Sequence, residues 1–490
     1  MRHGSCEGRM TLMRGSCGGD DATLVPPGER VRVALVDLAT VNPVPWARSQ
    51  MAFTLAFHII LVPLGVSWAF MTLIANYRGL RRNDADAMRL ARRWSSYMAV
   101  TFAVGAVTGT VLSFEFGLLW PRFMGQWGEA FGVPFAFEGI FFFLEAIFVA
   151  IYVYGWGRLA PWLHFWSGVP VTVAGLGGTA SVVAANAWMN QPGGITMRHG
   201  AVVGVNPWQV FFNGAFWYEM LHMFLAAYVV AGFVVAGVYA RGMLKGRRDH
   251  HHRLGFLIAF TTAAVAIPLQ IFMGDVIARE VFQAEPAKFA AIEILPRSGT
   301  HVPETLGGAL VDGHVRYGLG IPSGASLLAG FRPSTRIHGL DAIPAAVRPA
   351  PELVSIVHLC FDVMVGIGFA LLALAAWFAL AWWRRRDLPG SRWFLRACTI
   401  AGALSVVSLE AGWVVTEVGR QPWTVHGLLL TRDAVTTSGN VWFFFAGALV
   451  IYAAVGTGAV LVLRAMSARW ARPDGEVAVP YGPGSAEVRR

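Results

Sequence analysis

Apolar residues run along this chain in long unbroken stretches, and the short segments between them hold most of the charge. About 20 consecutive apolar residues are needed for a helix to cross the hydrocarbon of a bilayer. Nine stretches are long enough, near residues 51–76, 94–118, 133–157, 165–188, 214–240, 254–274, 353–383, 394–416 and 441–465. The pattern therefore predicts an all-α integral membrane protein of about nine transmembrane helices. It divides the chain into an extension over 1–45, helices one to six over 46–274, a long loop over 275–352, helices seven to nine over 353–466 and a tail over 467–490. The third stretch contains two Glu residues and the seventh an Asp, which a purely lipid-facing anchor would avoid.

Short-loop charge sets the expected orientation. Arg78, Arg81, Arg82, Arg89, Arg92 and Arg93 lie between spans one and two; Arg241, Lys245, Arg247, Arg248 and Arg253 between five and six; Arg384, Arg385, Arg386 and Arg392 between seven and eight. These connections are expected to be cytoplasmic. The connections 119–132 and 189–213 carry one Arg each, Arg122 and Arg198, so they and the amino terminus are expected outside, with the carboxyl tail back in the cytoplasm. The segment 275–352 then falls on the outer side, and a loop of that length without regular structure is usually functional or disordered. No repeat of 20 to 50 residues is visible, so a transporter of inverted repeats gains no support.

Composition agrees. The chain is 55% hydrophobic and 14% charged with 19 Trp, whereas soluble domains carry about a quarter charged residues. A net charge of +10 would invite nucleic acid, but its Arg residues sit in clusters between apolar runs, so no nucleic-acid partner is expected. Cys6, Cys17, Cys360 and Cys398 form no disulfide framework, and no C-x-x-C-H element is present for covalent haem attachment. Residues 1–45 lack the apolar core of a signal peptide and read as a disordered extension.

Ionisable and metal-ligating groups inside the spans are the candidate chemistry. His58 lies about two turns into span one from its outer end, His222 about two turns into span five, and Met364 about three turns into span seven. A lone intramembrane His is more often a hydrogen-bonded packing residue, and Met is ordinary core filler. Together, an imidazole and a thioether on separate helices make the axial pair that raises a haem potential. In span three, Glu138 and Glu145 are seven residues apart and so share one helix face, an arrangement suited to a proton path or to an ion pair with another helix. At the end of span eight, Glu417 and Arg420 are one turn apart and can pair, and Trp413 shares a face with Glu417. An interfacial Arg and Trp belt would look similar.

The run Gly419-Arg420-Gln421-Pro422-Trp423, preceded by Gly412-Trp413 and Glu417, resembles the signature of the cytochrome bd oxidase large subunit. Ser49-Gln50-Met51-Ala52-Phe53 leading to His58, and Glu138-Gly139 through Leu144-Glu145, resemble that family's first and third helices. Lys288-Phe289-Ala290-Ala291-Ile292-Glu293 is similar to the K-x-A-A-x-E element of its quinol-binding loop. The likeness spans roughly 46–466.

The resemblance implies a subunit of a respiratory oxidase that oxidises quinol, reduces O₂ to water and builds a proton gradient without a separate pump. It implies His222 and Met364 as axial ligands of a low-spin, b558-like haem b, and His58 and Glu417 as ligands of a high-spin, b595-like haem b and a haem d, or a third haem b. Glu138, Glu145, Trp413 and Arg420 would surround that pair, with Lys288 and Glu293 at quinol oxidation, where Glu293, expected as an exposed carboxylate near a loop, would accept the quinol proton and release it outward. Partners implied are a second membrane subunit and a small single-helix subunit, in a bacterial cytoplasmic membrane. Asp362 stands where some members have an Arg, and the loop lacks the long insertion of others, as in short-loop and cyanide-insensitive branches. Two other readings remain open from the residues alone: a transporter with a polar pathway, and a haem-b anchor that passes quinol electrons onward without O₂ chemistry. The His250-His251-His252 run looks metal-like, but its Arg-rich surroundings point to a solvated loop.

Overall fold

The structure, a computed structural model, describes residues 42–470. Cys6, Cys17, most of the expected amino-terminal extension and most of the carboxyl tail lie outside the described residues. Helices α1 (Pro43–Arg82), α2 (Ala85–Leu119), α3 (Pro121–Tyr154) and α4 (Pro161–Asn190) lead to a hairpin, β1 (Ile195–Arg198) with β2 (Ala201–Val205). The short α5 (Pro207–Phe211) precedes α6 (Phe216–Leu244) and α7 (His250–Ala284). After the outer loop come α10 (Pro351–Arg385), α11 (Arg392–Gly419) and, past a small hairpin and a single turn, Val441–Trp470. Nine of these helices are long and apolar enough to cross a membrane among the described residues.

Local sequence explains the helix starts. Asn42 accepts the Val44 N–H at 3.1 Å and Asp84 accepts that of Ala87 at 3.1 Å, each satisfying an otherwise free donor. Proline opens α1, α3, α4 and α10, where its missing N–H is not needed. At 40 residues, α1 is about 60 Å long, roughly twice the hydrocarbon thickness, so it extends beyond the bilayer.

Helix α6 packs between α7 and α11, and α1 joins α2. Their shared core holds Trp94, Phe233, Phe256, Phe260 and Phe394, all nearly sealed from solvent. Phe143, Phe444 and Val450 instead point outward, as lipid-facing side chains do. The basic connections meet at one end of the bundle: Arg78 and His250 both contact Asp84, Arg93 reaches His251 and the Trp470 carbonyl, and Arg253 pairs with Asp387. The His250–His252 run is thus not a free loop. It opens α7, capped by Asp249, with His251 buried.

The expected structureless loop is replaced by compact structure. Helix α7 continues to Ala284, ten residues past the predicted span, helped by the Arg279–Asp275 pair one turn apart. Helix α8 (Pro286–Ile292) follows, then β3 (Glu304–Leu306) pairs with β6 (Leu319–Ile321) around the hairpin of β4 (Ala309–Val311) and β5 (His314–Arg316), and α9 (Gly324–Gly330) closes the unit. The hairpin turn is Asp312-Gly313, with φ of 50° and 72°, a pair whose chemistry suits a two-residue turn. Phe289, Ile292, Ile294, Leu295 and Val302 bury themselves against Val354 and Val357 of α10, which fixes the loop to the bundle.

Candidate functional site

A cavity of about 940 Å³ opens between α1, α2, α3, α4 and α11, near the upper end of the volumes typical of ligand sites. His58 of α1, Glu138 and Glu145 of α3, Trp413 and Glu417 of α11, and Arg420 just beyond α11 all line it. Six of the ten candidate residues therefore share one space. Most of the remaining wall is apolar, with Phe102, Phe123, Phe131, Phe135 and Phe142 among its lining.

The donor chemistry fits iron porphyrin. His58 Nδ1 lies 2.9 Å from Thr108 Oγ1, which fixes the ring and leaves Nε2 for ligation. A Cβ on Gly109 would come within 3.1 Å of His58 Cε1, so the glycine lets α2 approach the imidazole. A Gly109→Val protein is expected to lose a high-spin haem while keeping the low-spin one, read from pigment content and the reduced-minus-oxidised spectrum; full high-spin content would refute the fit.

His222 and Met364 lie elsewhere. His222 faces α7, its Nε2 3.0 Å from Gln270 Nε2, while its buried Nδ1 has no partner among the described residues. Met364 faces α11, where a Cβ on Gly412 would come within 3.0 Å of its sulfur. An orphaned buried imidazole nitrogen and a thioether beside a glycine are each haem-ligand chemistry, and neither side chain lines the cavity that holds His58.

Lys288 and Glu293, both on or beside α8, turn to different partners. Five residues at 100° each place them about 140° apart around the helix. Lys288 is buried and pairs with Glu285 at 2.6 Å, and its Nζ donates to Asn190 Oδ1 at 3.3 Å. The same Asn190 oxygen accepts Arg420 Nη1 at 3.1 Å. Arg420 Nη2 donates to Glu417 Oε2 at 2.5 Å, as the one-turn spacing predicted. Asn190 Nδ2 donates to Glu219 Oε1 at 2.9 Å and Asn186 Oδ1 at 3.3 Å, and Asn186 donates to Glu417. The sequence reading missed Asn186, Asn190, Glu219 and Glu285; polar residues at the ends of apolar runs were the available signal.

Glu293 was expected as an exposed carboxylate, and the structure corrects this: it is 5% exposed. The cause is the docking of α8 on α10, which places Glu293 beneath the β3–β6 unit. Burial and the adjacent Glu304, with Asp362 adding to it, push its carboxyl well above the usual carboxylate range. Burial also raises Glu304. Asp362 accepts the Gly307 N–H at 2.5 Å and lies 3.6 Å from His358 Nε2.

A helical membrane protein with a porphyrin-sized, His- and Glu-lined cavity, and a half-buried His and Met outside it, belongs among haem-bearing membrane proteins. Residues 46–470 match the family described as cytochrome bd terminal oxidase subunit I, and the chain belongs to that family. A Bacillus subtilis (strain 168) chain whose name assigns it provisionally as cytochrome bd menaquinol oxidase subunit I is 33% identical over 426 residues, covering 85% of this chain and 95% of that one. The cytochrome bd ubiquinol oxidase subunit 1 of the same organism is 29% identical over 458 residues, covering 90% and 97%. The solved bd oxidase from Geobacillus thermodenitrificans superimposes with a TM-score of 0.82 at 34% identity, covering 88% of this chain and 99% of that one. The chain is thus a multi-pass membrane subunit of a bacterial terminal oxidase.

Proposed function

We infer that this chain oxidises quinol and passes its electrons to O₂, which is reduced to water. The observation that carries this reading is the single cavity to which α1, α3 and α11 each bring the side chains named above. His222 and Met364 would hold the low-spin haem b that takes electrons from quinol, and His58 and Glu417 the two high-spin irons. When bound, these groups supply one-electron carriers and the place where O₂ is reduced; the active-site haem is either d or a third b.

The chain's own residues do the rest. Arg420, held by Glu417 and Asn190, presents a fixed cation at the cavity rim, suited to a propionate. Glu138 and Glu145 stand on one face of α3 and can move protons toward the site. Lys288 orients the quinol end of α8, and Glu293 accepts a quinol proton. With the basic ends of the bundle in the cytoplasm and the α8–α9 unit outside, protons are taken up on one side and released on the other. A second membrane subunit, and a small single-helix one, would cover the lipid-facing walls of the cavity.

The deciding experiment is a reduced-minus-oxidised spectrum with pigment extraction, followed by O₂ uptake with a quinol donor. Low- and high-spin haem signals with quinol-dependent uptake are expected. A colourless protein would favour a polar-pathway transporter, and a coloured one without uptake a haem-b anchor; either result overturns the reading.

A further inference from the structure

The outer loop contains a buried acid cluster that the reaction above uses only at one member. Glu293 Oε2 and Glu304 Oε2 are both buried, and neither receives a donor from any other described residue. Glu304 lies close enough to Glu293 to push its carboxyl up. Two adjacent buried carboxylates offer only acceptors, so the pair is favoured with one proton between them.

Beside them His358 of α10 is 1% exposed, and both its ring nitrogens face carbonyl oxygens. Nδ1 lies 2.7 Å from Ile292 O and Nε2 2.9 Å from Gly307 O. Carbonyls only accept, so a ring that keeps both contacts must donate from both nitrogens. Its position is fixed from both sides: Ile292 precedes Glu293 in sequence, and Gly307 directly follows β3, which starts at Glu304.

We propose that Glu293 and Glu304 act as a proton-sharing dyad that passes quinol-derived protons outward, with doubly protonated His358 as its fixed counter-charge. The proposal rests on Glu293 as the quinol proton acceptor and adds Glu304 as the exit and His358 as a positioning residue. Oxidation of one quinol breaks two O–H bonds and gives two protons and two electrons; the electrons go to the oxidase's haem. Each proton entering at Glu293 is matched by one leaving Glu304 for water, so the dyad holds one proton before and after. The route runs from the sealed Glu293 to the partly exposed Glu304.

Among the charged groups around the dyad, His358 and Asp362 face it from α10. Others on neighbouring elements are engaged elsewhere: Lys288 with Glu285 on α8, Arg279 with Asp275 and Glu280 with Tyr218 from α7, Glu417 with Arg420 at α11, and Asp341 with Ser298 in the loop. His358 is therefore the cation that opposes the dyad's negative charge.

The test uses the intact oxidase complex, following O₂ uptake against pH with quinol and, separately, with an artificial one-electron donor that bypasses the quinol site. Below the pH at which the dyad takes a second proton it can accept none, so turnover falls on the acid side. Removing the cation strengthens proton binding, so His358→Gln should move that acid limb upward by about one pH unit. Glu304→Gln should slow quinol turnover at least tenfold, with partial recovery in Glu304→Asp. Both should leave haem spectra and artificial-donor rates as in the wild type. Wild-type pH profiles in both variants would overturn the proposal, and so would equal loss of quinol and artificial-donor activity in both. A wild-type enzyme that takes up O₂ with the artificial donor but not with quinol would instead refute the quinol reading beneath it.

Discussion

Replacing Met364 with Leu is expected to erase the low-spin haem from the reduced-minus-oxidised spectrum and to abolish quinol-dependent O₂ uptake, while the protein still inserts. Leu nearly conserves volume, and such swaps cost less than about 1.5 kcal/mol. What Leu cannot supply is a ligand. His222, already lacking a partner at Nδ1, would then hold an iron from one side only. High-spin signals from the cavity at His58 should persist. An unchanged spectrum would remove Met364 from the axial pair.

Glu293→Gln should lower quinol-dependent turnover by about a hundredfold or more, the usual scale for a lost proton acceptor. The Gln amide can donate to Glu304, so the loop should stay folded. In the wild type, burial and Glu304 hold the Glu293 carboxyl well above the ordinary range. A base whose proton affinity is raised works only above that raised value, so wild-type turnover should climb with pH on the acid side. Gln does not titrate, and the variant's acid limb should flatten. Rates with an artificial donor should not change; a parallel fall in both rates would show damage beyond the quinol site.

Much of this architecture was legible in the chain because a bilayer imposes a simple rule on length and polarity. Nine apolar runs became nine long helices among the described residues, and the spacing of Glu417 and Arg420 became an ion pair. Glu138 and Glu145, seven residues apart, line the same cavity. The outer loop was harder to read, since its folding depends on short-range turn chemistry and on docking. Asp312-Gly313 between apolar residues was a hairpin signal in plain view. Glu304 and His358 gave no such sign; their importance arises only when β3 and α10 bring them beside Glu293. Placement in a loop suggested that Glu293 was exposed, and tertiary burial overrode that expectation.

Asn190 uses all four of its hydrogen-bonding positions: its oxygen serves Lys288 and Arg420, and its two N–H groups serve Glu219 and Asn186. A side chain so fully committed has no spare rotamer. A tilt of α8, which carries Lys288, would therefore pull on the Arg420 guanidinium through Asn190, and under the proposed function quinol docking would be felt mechanically at the cavity.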